Sequence, residues 1–129
     1  MDDRITDVWF RSALPLAALA EGLRLEDVEE DAEDYWEWVT GTMSGERIDI
    51  TRTHALPPEA TDTRVFLPDG EALPAGLLGE LVARLREVVP GPITAGRWEY
   101  LRGNDFHHVP VRVYQAAGEQ ASPGEGGKA

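Results

Sequence analysis

The stretch between Pro74 and Pro90 constrains the fold more than any other part of the chain. Leu77, Leu78, Leu81, Val82, Leu85, Val88 and Val89 recur there at helical spacing, while Glu80, Arg84 and Glu87 fall largely outside that stripe. Proline suits the first turn of a helix because its missing N–H would be unpaired there anyway, and Pro90-Gly91-Pro92 ends the run. A helix with a single apolar stripe has to bury it against a second layer.

The rest of the chain supplies a sheet for that layer. Ile48, Ile50, Arg52 and His54 alternate with Arg47, Asp49, Thr51 and Thr53, the period of two that marks a half-buried strand. Ser44-Gly45 turns the chain into it from a strand over Asp34 to Met43, making a hairpin. Further strands are expected over Arg4 to Arg11, Thr63 to Leu67, Ile93 to Arg102 and Phe106 to Gln115, with Val109, Val111 and Val113 facing inward. A shorter helix follows Pro15, with Leu16, Leu19, Ala20 and Leu23 on one face. The class is α+β, one domain over residues 1–115. Residues 116–129 are too poor in apolar side chains to offset the entropy of ordering and read as a disordered tail.

Charge narrows the partners. With 24 acidic and 12 basic residues the net charge is −12, which argues against nucleic acid and anionic membranes and favours a basic protein or a cationic small molecule. Glu26, Asp27, Glu29, Glu30, Asp31, Glu33, Asp34 and Glu37 concentrate that charge in a stretch that would repel itself if buried, so it belongs on a solvated edge. Within it Glu29, Glu30, Asp31, Glu33 and Asp34 are the candidate partner-binding residues. The absence of cysteine excludes disulfides and thiolate sites and fits a reducing compartment; Met1-Asp2-Asp3-Arg4 does not read as a secretory signal, and no apolar run approaches the roughly 20 residues of a membrane span. A cytoplasmic location is the expectation.

The order strand, helix, strand, strand is expected twice, over residues 4–54 and 63–115. Trp36-Glu37-Trp38-Val39-Thr40-Gly41 echoes Trp98-Glu99-Tyr100-Leu101-Arg102-Gly103, and Ala13-Leu14-Pro15 echoes Ala72-Leu73-Pro74. Two βαββ repeats would form a mainly antiparallel sheet with both helices on one face, leaving the other face, or the seam between halves, for function or for a second copy of the chain. From Arg4 to Gln115 this element order resembles the gyrase-inhibitor-like small-molecule-binding domains. The resemblance implies an aromatic-lined pocket at the seam, with a glutamate that meets cationic ligands.

The ligand-binding candidates are Trp36, Glu37, Trp38, Arg52, His54, Trp98, Glu99 and Tyr100. A pseudo-twofold axis could bring Glu37 and Glu99 together as a carboxylate pair that holds a cation or moves a proton; the plainer alternative is two glutamates paired with neighbouring arginines. The four aromatics form either core or a platform for a cation or a protein partner. Arg52 and His54, toward a strand end, could grip an anion or move a proton. No metal site or cofactor is expected: Asp105, His107 and His108 lack converging partners, because adjacent histidines on a strand point to opposite faces. The acidic run places Ala32 and Trp38 where a calcium loop needs Gly and Glu. Gly41-Thr42-Met43-Ser44-Gly45 has its serine in the wrong place for a nucleophile elbow, and Gly124-Glu125-Gly126-Gly127-Lys128 lacks the spacing of a phosphate loop. The sequence therefore reads as a non-enzymatic acidic binding protein of immunity or inhibitor type. The alternatives are a small-molecule-binding domain with an aromatic and carboxylate pocket at the seam, and an enzyme using Glu37 or Glu99 with Arg52 and His54.

Overall fold

A computed structural model describes residues 4–33, 36–53, 63–100 and 106–115, with the backbone alone at 98, 100 and 106–108. Asp34, His54, Asp105 and the expected tail lie outside the described residues. The elements are β1 (Asp7–Phe10), α1 (Leu16–Gly22), β2 (Glu26–Glu33), β3 (Trp36–Met43), β4 (Glu46–Thr53), β5 (Thr63–Phe66), α2 (Ala75–Val88), β6 (Ile93–Tyr100) and β7 (Phe106–Tyr114). The strands form one seven-stranded sheet in the order β2-β3-β4-β5-β1-β6-β7, antiparallel throughout. The class is α+β, as the periodicities require.

Both helices begin after a proline, as read from the sequence. The carbonyls of Pro15 and Pro74 accept the first helical bonds, from Leu19 at 3.1 Å and Leu78 at 2.8 Å. Leu16, Leu19, Ala20 and Leu23 join Leu77, Leu78, Leu81, Val82 and Leu85 in one core cluster. The sheet contributes alternate residues to it: Val8 and Phe10, Val39 and Met43, Ile48 and Ile50, Val65, Ile93 and Ala95. A side chain of this kind contributes about 1.5–3 kcal/mol when fully buried. Because these residues all lie on one face of their strands, both helices cover that face, and among the described residues no element covers the other. At Ser44 and Gly45 the φ angles are +54° and +83°, so the β3–β4 hairpin turns on two left-handed residues, as the favoured two-residue hairpin turn requires.

Three expectations meet a different structure. First, the acidic stretch, exposed at an edge as its charge requires, is itself a strand of the sheet, which the sequence did not indicate. β2 carries six acidic residues among its eight, all exposed, and pairs with β3 from Glu26 to Glu33 with a register shift between Glu26 and Glu29. Its composition argues against a strand; what forms it is the otherwise unpaired edge of β3. Second, the βαββ duplication is not confirmed. Four strands lie between α1 and α2, so that even with β5 assigned to the second half three follow α1 where two follow α2, and the hairpin β3–β4 joins the central pair through its second strand whereas β6–β7 joins through its first. The echoing triplets at Trp36 and Trp98 therefore occupy non-equivalent strands, β3 one place further from the β1–β5 pair than β6. Third, Val109, Val111 and Val113 do not share an inward face. Ala95 and Gly96 on β6 oppose Arg112 and Pro110 on β7, so Val111 is an extra residue that packs against the core while Val113 is 49% exposed.

Among the described residues no helix is long and apolar enough to cross a membrane.

Candidate functional site: the open face of the sheet

The uncovered face is built from the residues that alternate with the core. Successive pairings place Asp31, Trp38, Thr51, Arg64, Trp9, Thr94 and Val113 in one row across all seven strands. The next row runs Glu29, Thr40, Asp49, Phe66, Asp7, Gly96 and Pro110. On the other side of the first, Glu33 faces Trp36, which faces Thr53. A protein-sized footprint therefore meets two chemically different ends, an acidic and aromatic one at β2–β3 and one at β5, β1 and β6 where Arg64, Phe66, Trp9 and Asp7 lie together.

At the first end Glu29, Asp31 and Glu33 stand beside Thr40, Trp38 and Trp36. Trp36 is 47% exposed and Trp38 half-buried. Arg47 on β4 fastens β2 from across β3: it donates to the carbonyl of Asp27 at 2.9 Å and to Thr40 Oγ1 at 2.8 Å, and lies 3.8 Å from Glu29. The Asp27 backbone has a φ of +51°, within the shifted part of the strand that Arg47 holds.

At the second end Arg64 donates from Nε to Asp7 Oδ2 at 2.9 Å, and its guanidinium lies 4.4 Å from the centre of the Phe66 ring. Asp7 is buried, and its other oxygen accepts the Thr6 hydroxyl at 2.5 Å. Arg97 donates from Nε to Glu99 at 3.0 Å.

The sequence candidates divide accordingly. Glu37 shares the face of Val39, on the helix side, and Glu99, toward the end of β6, lines a hollow with Arg4, Asp7, Arg64 and Arg97. With β4, β5 and β1 between their strands, the two glutamates are separated by about 19 Å across the sheet and also by about six residues along it. They form no carboxylate pair; Glu99 is paired with Arg97, and Glu37 lies across the ladder from Arg52. Arg52 does not open to solvent. It is 6% exposed, donates from Nε to Thr63 Oγ1 at 2.9 Å and from Nη1 to the Leu14 carbonyl at 2.6 Å, and so ties β4 to the segment leading into α1. Burial lowers its pKa, and the charge of Glu37 partly opposes that. The Glu37 or Glu99, Arg52 and His54 constellation of the enzyme reading does not converge among the described residues. Trp98 and Tyr100 lie on β6, opposite His108 and Phe106, with their side chains outside the described set. Glu29, Glu30, Asp31 and Glu33 are exposed on β2, as an interaction surface requires.

Sequence reasoning missed Asp7, Arg64 and Arg97. Asp7 and Arg64 are 57 positions apart, and only the β1–β5 pairing brings them together. The one signal available was the odd parity of Asp7 and Trp9 beside the core residues Val8 and Phe10, which puts them on the uncovered face.

No family model matches the chain, and neither a curated protein nor a solved structure matches it.

Proposed function

We propose that the chain is a non-enzymatic binding protein that receives a basic protein on the acidic and aromatic end of its open sheet face. One observation carries this reading: an entirely exposed strand with six acids stands directly beside Trp36 and Trp38. The two features divide the work of association. Clustered acids speed encounter with a cationic surface, and flat indole rings supply contact area and attract ammonium and guanidinium groups.

Seven strands span about 29 Å and the two rows they share about 14 Å, roughly 400 Å² in projection, so a partner burying the roughly 800 Å² of a standard interface would also have to use the row of Glu33, Trp36 and Thr53 and the β2 edge. A cationic small molecule at the β1–β5 seam is less well served, since among the described residues Arg4, Arg64 and Arg97 stand there with Asp7 and Glu99. A second copy of the chain would have to bring together molecules that each carry −12.

The test uses folded cationic proteins and lysine- and arginine-rich peptides as probes, with binding followed by amide shifts in the wild type and in a Glu29→Lys, Asp31→Lys, Glu33→Lys variant. The reading expects saturable binding that perturbs β2 and β3, association rates that fall steeply with salt, and loss of binding in the variant. Binding that the variant retains, or self-association through this face at the same concentrations, would overturn it.

A further inference from the structure

One end of the sheet is β2, and the outer side of that strand is an open row of backbone groups. In an antiparallel ladder every second residue turns both its N–H and its C=O away from the neighbouring strand. β2 stands last in the strand order, pairs with β3, and has all eight of its residues exposed. We propose that this edge takes up an extended basic segment of the partner as a further strand of the sheet, with lysine or arginine at every second position. The proposal rests on the reading that a basic protein binds at this end of the face, and adds the form in which that protein is recognised.

The backbone supplies the first argument. From Glu29 to Glu33 each residue of β2 faces one residue of β3, ending with Glu33 opposite Trp36, and the register shift lies before this stretch, between Glu26 and Glu29. Four steps along a strand make about 14 Å of regular edge. It contains neither proline nor glycine, so its outward-turned residues can both donate and accept. The N–H of Ala32 is met by the carboxylate of its own neighbour Asp31 at 2.8 Å, a donor satisfied from within the strand where no further strand lies beside it. The edge at the opposite end of the sheet differs, since β7 carries Pro110, which has no N–H to give.

Charge complementarity decides the occupant. A strand laid against β2 brings its alternate side chains within about 5 Å of Glu29, Asp31 and Glu33 on one face and of Glu30 on the other. Like charges directly opposite one another destabilise a pair of strands, so an acidic segment is refused, and two β2 edges would set six acids against six. Among the described residues Arg47 is the cation paired with this row, 3.8 Å from Glu29, and it leaves that side chain 83% exposed. A basic strand therefore meets opposite charge along its length. In strand addition the main-chain bonds hold the incoming segment and its alternate side chains select it, which is the division of labour these residues offer.

The test is a titration of the full chain with a short peptide of alternating lysine and threonine, and with two analogues N-methylated on every lysine or on every threonine. All three carry the same charge, but each analogue has lost the donors along one side of its backbone. The parent peptide is expected to slow hydrogen exchange at alternate residues of β2, Ala32 among them. One analogue should bind about as the parent does and the other about tenfold or more weakly, through lost main-chain bonds. Equal binding by the two analogues, or protection of β2 without alternation, overturns strand addition. If folded cationic proteins bind at β2 and β3 while the parent peptide does not, strand addition alone is overturned; if neither binds, the partner reading falls with it.

Discussion

Arg52 and Gly96 are two residues whose roles come from close contacts that local sequence does not display. Arg52 is a buried cation with two bonds, to Thr63 and to the Leu14 carbonyl, so it links β4, β5 and the entry to α1. Arg52→Ala removes both and leaves their acceptors without that donor. With about 1.5–3 kcal/mol for a hydrogen bond to a charged group and incomplete additivity, a loss of about 3 kcal/mol is expected in chemical denaturation. A loss under 1 kcal/mol would show that the buried guanidinium contributes little to holding these elements together. Gly96 sits where the β6–β7 register shifts, and a Cβ there would lie 2.1 Å from the Val109 carbonyl oxygen and 3.0 Å from the ring of Trp9. Gly96→Ala is expected to cost about 3 kcal/mol and to release the Trp9 ring, visible as a change in its fluorescence. The alternation around Ile48 and Ile50 made the face of Arg52 legible from sequence. Its burial was not legible, because Leu14 and Thr63 reach it from distant parts of the chain.

Elements were readable wherever a face had to be buried. The stripe from Leu77 to Leu85, the proline starts of both helices and the Ser44-Gly45 turn all stand where their chemistry puts them, because each local preference agrees with the packing. β2 was not readable as a strand. Val28 is its only β-branched residue, none of its side chains is buried, and its strand geometry comes from the ladder with β3 and the reach of Arg47. An element held from one side opens more easily than a core strand. Hydrogen exchange is therefore expected to be fastest among the strands in β2 and slow in β4 and β5, which are paired on both sides. Arg47→Ala should speed exchange in β2 without a matching fall in global stability. Equal protection of β2 and β4 would contradict the view of β2 as an edge held by few contacts.

For the whole molecule, the decisive information was the strand order. The triplets at Trp36 and Trp98 suggest equivalent hairpins, but hairpins attached through opposite strands put them in different settings. Element order along the chain does not determine which strand of a hairpin faces the centre of a sheet, and that choice separated Glu37 from Glu99, while the β1–β5 pairing brought Arg64 to Asp7. What results is a sheet face that no other described element covers, with an acidic, aromatic end at β2–β3. The central claim is that Trp36 lies in solvent within the field of β2, and fluorescence quenching tests it without any partner in hand. Wild type and Trp36→Phe are compared with caesium as a cationic quencher and iodide as an anionic one, at low ionic strength. The account expects the Trp36 contribution to be quenched much more by caesium than by iodide, with the difference shrinking as salt is added. Equal quenching by the two ions, or a Trp36 contribution that neither ion reaches, would contradict it.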